Sequence, residues 1–194
     1  HLHAIKDVYK LPCVVTINKF ETDTQKEIDL VQKILSENNT ECVLNEVWAK
    51  GGKGAQELAE LVTKQCESQC KLNFAYDTND SVKQKIFDIA HNIYGAGKIN
   101  YSEKAEQSIQ NINNLGLSGL PIIMAKTQFS FTDNPKILGA PKDFEMTVRD
   151  IEIRTGAGFL VVLLGDMMLM PALGKSPAAL NMKIDENEQI SGLF

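Results

Sequence analysis

Two apolar rhythms alternate along this chain. Runs of consecutive β-branched and aliphatic residues mark buried strands, and apolar positions recurring every three or four residues mark one-sided helices. Pro12 to Asn18 is a run of the first kind, as expected for a parallel strand covered on both faces. Thr22, Asp23 and Thr24 follow as helix caps, with Thr24 and Glu27 spaced for a capping box. The spacing predicts a helix to about Asn38, with Ile28, Val31, Ile34 and Leu35 on one stripe and Asn38-Asn39 as its stop. Glu41 to Trp48 reads as a second strand. Gly51-Gly52-Lys53-Gly54 then opens a helix carrying Leu58, Leu61, Val62 and Cys66. This β-α-β-α order predicts an α/β fold, a parallel sheet flanked by helices.

The middle of the chain is more helical. Asp80 or Ser81 caps a helix with Val82, Ile86, Ile89, Ala90 and Ile93 on one face, ending at Gly95 and Gly97. A further helix is expected from about Ser102 to Asn114, stopped by Gly116. Leu120 to Ala125 reads as a third buried strand, followed by a long loop with Pro135, Gly139 and Pro141. Glu145–Arg154 and Phe159–Leu164, joined through Thr155-Gly156-Ala157-Gly158, read as two antiparallel β segments. The tail from Pro171 carries no clear element. Residues 1–128 are thus expected to belong to the main α/β domain, helical middle segment included. Residues 129–194 form a smaller C-terminal β-containing subdomain with a hairpin.

Composition narrows the function classes. The chain has 194 residues, 43% hydrophobic and 23% charged, enough for a sizeable core in one or two small domains. A formal net charge of −5 argues against sequence-independent nucleic-acid binding, which needs a basic face. No apolar run approaches the roughly 18 residues of a membrane helix. The opening His1-Leu2-His3-Ala4-Ile5 is neither a signal peptide nor a usual start, and reads as the middle of a helix. The four cysteines do not make a disulfide framework: Cys13 and Cys42 fall in expected buried strands, while Cys66 and Cys70 share a helix face. That spacing suits a metal, but no histidine or second cysteine pair lies nearby, so reduced thiols and no metal site are expected. A reducing cytoplasm fits that usage.

The chemistry-bearing residues collect after the strands, where open α/β sheets bind ligands. Asn18, Lys19 and Phe20 follow the first strand, and Trp48, the single tryptophan, ends the second. Two aromatics, a lysine and an amide suit a flat, polar, partly aromatic molecule. Alone, Asn18-Lys19-Phe20-Glu21 is also close to the base-recognition N-K-x-D pattern, with Glu in place of Asp, or is simply a strand-to-helix turn. Met124-Ala125-Lys126-Thr127-Gln128 and Gly165-Asp166 follow later strands. His91 lies off the apolar stripe as an ordinary, partly exposed histidine. No Ser–His–Asp, Cys–His or paired-carboxylate arrangement is supported.

The segments N-K-F-x-T-D-T (Asn18–Thr24) and E-V-W-A-K-G-G (Glu46–Gly52) resemble the formate–tetrahydrofolate ligase family. Gly116-Leu117-Ser118-Gly119-Leu120-Pro121, Met124–Gln128, Gly156-Ala157-Gly158-Phe159, Gly165-Asp166 and Ile190-Ser191-Gly192-Leu193-Phe194 extend the likeness in the family's order. It runs from about Leu11 to Phe194 and covers about the last third of such an enzyme. The family's phosphate-cradling Gly-rich loop and its K-G-G-A-A-G-G-G-Y stretch have no counterpart. The resemblance implies a P-loop NTPase-like half sheet and the ATP-dependent joining of formate to tetrahydrofolate. It implies that Phe20 and Trp48 flank the pterin, with Asn18, Lys19 and Leu44 beside it and Glu46 in the pocket or near a cation. By analogy of fold, Lys126, Thr127, Gly165, Asp166 and Pro171 are expected to face the nucleotide. Magnesium with ATP, a monovalent cation and a homo-oligomeric, cytoplasmic enzyme are implied in turn. Without the phosphate loop, this chain alone is expected to hold folate but not to catalyse. Two alternatives stay open: another nucleotide-binding α/β domain using Asn18 and Lys19, and a non-catalytic interaction domain.

Overall fold

The computed structural model describes residues 1–165, 176–187 and 189–192. After a π-helical turn at His3–Val8, the chain forms β1 (Val15–Asn18), α1 (Gln25–Glu37), β2 (Cys42–Asn45) and α2 (Val47–Lys50). A 3-10 turn at Gly51–Ala55 leads into α3 (Gln56–Cys66), and α4 (Val82–Ile89) runs on through a π-helical turn at Ala90–Tyr94. Then come β3 (Ala96–Tyr101), α5 (Glu103–Asn114), β4 (Ile122–Ala125), β5 (Phe144–Arg154) and β6 (Phe159–Leu164). A 3-10 turn at Ala178–Asn181 and the two-residue strands β7 (Lys183–Ile184) and β8 (Ile190–Ser191) give structure to a tail expected to have none. The architecture is α/β, with mostly parallel strands flanked by helices.

The single parallel sheet expected from the sequence is replaced by two separate ones. β1 and β2 pair in parallel by themselves, while β3, β5, β6 and β4 form a mixed sheet in that order. Within the larger sheet, β3 is parallel to β5 and β4 to β6, and the central pair β5–β6 is antiparallel. The hairpin expected in the C-terminal segment is therefore the centre of a sheet whose outer strands come from residues before 128. The missed strand is β3. Gly95, at φ 84°, closes the preceding helix, whereas Gly97, expected in the same stop, lies within β3. Gly97 in fact sits in the strand because a Cβ there would come within 3.1 Å of Asp143 Cα.

The apolar centre belongs to the larger sheet. Val82, Ile86 and Ala90 of the α4 face and Ala105, Ile109 and Ile112 of α5 bury against Met146, Val148, Leu160, Val162 and Leu164. Ser81 and Ser102 cap the two helices by accepting from the Gln84 and Ala105 N–H groups. Lys85 lies in the middle of this packing, fully buried, and donates to the carbonyls of Ser118 (2.6 Å) and Leu120 (3.1 Å). Burial holds its pKa below the ordinary lysine value, against the opposing charges of Asp80 and Asp77. The lysine thereby fixes the turn that feeds β4.

The smaller sheet is thinly covered. β1 alternates half-buried and exposed positions, and of the predicted α1 stripe only Ile28 and Leu35 are buried while Val31 and Ile34 stay open to solvent. The expectation that β1 is covered on both faces therefore fails: Val15 and Ile17 are half-buried while Thr16 and Asn18 are exposed, and α1 and α3 pack against β2. The capping box at Thr24 is formed as expected, with Glu27 accepting from the Thr24 N–H at 2.9 Å. At the other end of α1, the Lys6 ammonium donates to the Asn38 and Asn39 carbonyls and to Thr40 Oγ1, a cation placed at a helix C-terminus. Among the described residues no helix is long and apolar enough to cross a membrane.

Removing the Lys85 ammonium strands two buried carbonyls. Lys85→Met is expected to cost about 1–3 kcal/mol, read as a lower urea midpoint at an unchanged m-value. Tyr101 gives an alkaline signature. Burial, with the Glu106 charge adding, pushes its phenol up to about 12 from an ordinary 10. Between those values the folded state holds a proton that the unfolded state has lost, so stability is full below pH 10 and falls towards pH 12. Tyr101→Phe is expected to flatten that fall in denaturation midpoints recorded across the same range.

Candidate functional site

Parallel pairing sets Asn18 opposite Asn45, so the loops after β1 and β2 leave the small sheet side by side. The Lys19 N–H extends the ladder by donating to the Asn45 carbonyl at 3.1 Å. Asp23 shapes the next turn: its carboxylate accepts from the Phe20 N–H at 2.8 Å, and its own N–H donates to the Phe20 carbonyl at 3.1 Å. Phe20 is held in this way with its ring 61% exposed. Asn18 is exposed, and Lys19 and Leu44 are half-buried.

Trp48 does not end a strand. Asn45 Oδ1 accepts from the Val47 N–H at 3.1 Å, which turns the chain out of β2 into α2, and Trp48 projects from that turn 84% exposed. The Ala49 and Lys50 N–H groups both donate to the Glu46 carbonyl, while the Glu46 N–H donates to the Gly54 carbonyl at 3.1 Å. The glycine segment therefore folds back on the base of α2. It forms a 3-10 turn before α3 and does not itself open the helix. A Cβ on Gly54 would stand 2.5 Å from the Glu46 carbonyl oxygen and 2.7 Å from the Val47 nitrogen, an approach open only to glycine.

The Glu46 carboxylate ties the two loops together. Lys50 donates to it at 2.6 Å from the next turn, and the Lys19 ammonium stands 3.6 Å away across the strand pair. The Lys50 hydrogen bond, helped by both lysine charges and opposed by burial, holds this carboxyl below the usual glutamate range. A carboxylate already flanked by two ammonium groups does not fit a monovalent cation site. The i,i+4 spacing of Glu46 and Lys50 is the sequence signal for this pair, one typical of a helical ion pair.

A second cluster follows β4 and β6, whose parallel pairing sets Ala125 opposite Leu163. Lys126 is half-buried. Its ammonium donates to the Thr127 carbonyl (3.0 Å) and to that of Ser130, and lies 4.9 Å from the centre of the Tyr94 ring. Burial lowers its pKa, partly countered by Asp133. Gly165 sits at φ 56° with its N–H donating to the Thr147 carbonyl at 3.3 Å, and a Cβ there would meet the Asp133 carbonyl at 3.0 Å. Asp133 in turn accepts from the Thr147 N–H at 2.9 Å. Lys126 and Thr127 line a cleft of about 540 Å³ with Tyr94, Met124, Phe129 and Phe131. Asp166 and Pro171 lie outside the described residues. A neighbouring groove of about 880 Å³, walled by Tyr9, Phe74, Tyr76 and Tyr94, had no signal in the sequence. The Tyr76 hydroxyl closes part of its floor by pairing with both backbone groups of Ile122.

His91 is exposed, its ring stacked on Phe87 and its Nδ1 3.1 Å from the Ala96 carbonyl. Cys66 and Cys70 are exposed free thiols, and Cys13 and Cys42 are half-buried rather than buried. Among the described residues no group of three or more His, Cys, Asp or Glu is placed to hold a metal ion.

The family model described as "Formate--tetrahydrofolate ligase" matches residues 1–194. The chain belongs to the formate–tetrahydrofolate ligase family. It is 47% identical over 193 residues to the formate–tetrahydrofolate ligase of Campylobacter concisus, covering 100% of this chain and 35% of that protein. It is 46% identical over 186 residues to formate–tetrahydrofolate ligase 2 of Lactobacillus acidophilus, covering 96% of this chain and 34% of the relative. With the ligase of Limosilactobacillus reuteri it shares 45% identity over 188 residues, again 96% of this chain and 34% of the relative. The chain thus spans about a third of the length of these ligases.

The geometry makes Gly54 a sharp test of how Trp48 is held. Gly54→Ala is expected to push the Glu46–Val47 peptide away and shift the Trp48 emission maximum and its acrylamide quenching constant. Gly52→Ala, where a Cβ meets open space, serves as the control and leaves both unchanged.

Proposed function

We propose that this chain supplies the folate platform of a formate–tetrahydrofolate ligase. The observation that carries the reading is the pair of exposed rings, Phe20 and Trp48, raised on neighbouring loops at one end of a parallel strand pair. A flat pterin gains dispersion and stacking from such rings, about 0.5–1.5 kcal/mol for each aromatic pair beyond the area buried. Asn18 offers an amide to the heterocycle's polar edge, Leu44 an apolar floor, and Lys19 a cation for an anionic group of the ligand.

The second half of the reading concerns ATP. Lys126, Thr127 and Gly165, with Asp166 and Pro171, are proposed to face the base end of the nucleotide. The Lys126 ammonium is already engaged by two carbonyls and a ring, so it holds the loop in shape while Thr127 and Phe129 meet the ligand. Phosphate binding, with the magnesium that travels with ATP, is assigned to the family's Gly-rich phosphate loop, which has no counterpart in this sequence. In the whole enzyme, as the resemblance implies, ATP phosphorylates formate. The N10 nitrogen of tetrahydrofolate then attacks the formyl carbon, with loss of the N10 proton and departure of phosphate. The β1–β2 pair is proposed as part of a P-loop NTPase-like sheet in a homo-oligomeric cytoplasmic enzyme, and the isolated chain as a binder without activity.

Trp48 is the only tryptophan, so its emission reports one site. Titration with tetrahydrofolate, corrected for absorbance with free tryptophan, is expected to give saturable quenching. Phe20→Ala is expected to weaken that binding about tenfold. No quenching in a chain shown by circular dichroism to be folded removes the folate platform. Saturable binding of a nucleotide without folate moves the assignment to base recognition by Asn18 and Lys19. ATP-dependent formylation by this polypeptide overturns its inactivity.

A further inference from the structure

Glu46 bonds the glycine turn and the Trp48 turn, and its carboxylate also reaches Lys19 beside Phe20. Its N–H holds the Gly54 carbonyl, and its carbonyl opens α2 by accepting from Ala49 and Lys50. Its carboxylate bridges Lys50 at 2.6 Å and Lys19 at 3.6 Å, and its side chain is only 25% exposed. The two lysines have different tasks. Lys50 lies on the same turn as Trp48 and binds tightly, whereas Lys19 belongs to the Phe20 loop and is the link between loops.

We propose that Glu46 is a positioning residue that sets the spacing and orientation of Phe20 and Trp48 by clamping the Lys19 loop to the base of the Trp48 turn. This rests on the folate reading for its consequence in binding, but the clamp itself is a property of the free chain. Glu46 touches no ligand in this role. It fixes two rings that would otherwise move independently, and a platform ordered before binding loses less freedom when a flat molecule arrives. The longer Lys19 contact leaves that ammonium room to turn towards an anionic group without releasing Lys50.

The test uses Glu46→Gln, which keeps size and removes charge, in the wild-type and the Lys19→Met backgrounds, with circular dichroism as the check on folding. Time-resolved anisotropy of Trp48 reads loop motion in the free chain, and tetrahydrofolate titration reads affinity. E46Q is expected to increase the local motion of Trp48 and to weaken folate binding about two- to fivefold. In the Lys19→Met background the link between the loops is already gone and only the Lys50 contact within the Trp48 turn remains, so the effect of E46Q is expected to fall below about 1.5-fold. An equal penalty in both backgrounds, or unchanged Trp48 motion in E46Q, overturns the clamp. Absence of folate quenching in the wild-type chain sinks the folate reading alone. The anisotropy then decides the clamp: motion increased by E46Q in the wild-type but not in the Lys19→Met background supports it, and unchanged motion, or an equal increase in both, overturns it.

Discussion

Strand polarity is the constraint on which the rest of this structure depends. Two parallel strands cannot be joined by a tight turn, and their carboxyl ends must lie at the same edge. The α1 crossover makes β1 and β2 parallel and so brings Asn18 beside Asn45, with the loops that carry Phe20 and Trp48 leaving together. The same rule places Lys126 near Gly165 at the ends of β4 and β6. In the larger sheet the antiparallel β5–β6 pair reverses direction at the centre, so the carboxyl end of β6 meets the early part of β5. That meeting is why Thr147 can bond both Gly165 and Asp133 and close the second cluster.

Local signals in the sequence proved the most legible. The Thr24–Glu27 box, the Ser81 and Ser102 caps, the α4 and α5 faces and the antiparallel hairpin are written in neighbouring residues, and each forms close to its expected place. What depends on partners distant in sequence was not legible. Nothing in the run Val14 to Asn18 says that β1 will pair only with β2, because a strand carries the same apolar signal whichever sheet receives it. β3 was hidden because Gly97, Lys98 and Asn100 dilute its alternation and Gly95 announces a stop just before it. The end of β2 was misplaced by three residues because the turn depends on one amide, Asn45, and that bond is invisible to periodicity. At the candidate site the rings could be named in advance. The Glu46–Lys19 contact between their loops is not legible in the same way, since the two residues belong to different strand ends.

Exposed aromatic rings are costly to keep, because each leaves apolar area in water that burial would stabilise by roughly 25 cal/mol per Å². Two of them raised on adjacent loops form a surface that gains most from a flat partner able to cover both. Such a surface gains little if the loops must first be ordered, because ordering costs about 1–2 kcal/mol per backbone residue fixed. The hydrogen bonds beneath the rings answer that cost in advance: Asp23 under Phe20, Asn45 and Gly54 under Trp48, Glu46 between them.

The charge arrangement follows from the same requirement. Lys19 and Lys50 both converge on one point, and without a counter-charge two ammonium groups so close would repel and swing apart, taking their loops with them. A single carboxylate between them cancels that repulsion and leaves the trio at a net charge of plus one. A neutral side chain in its place would leave the lysines unrestrained. One acid for two bases thus links the two loops while leaving one lysine charge of the trio uncompensated.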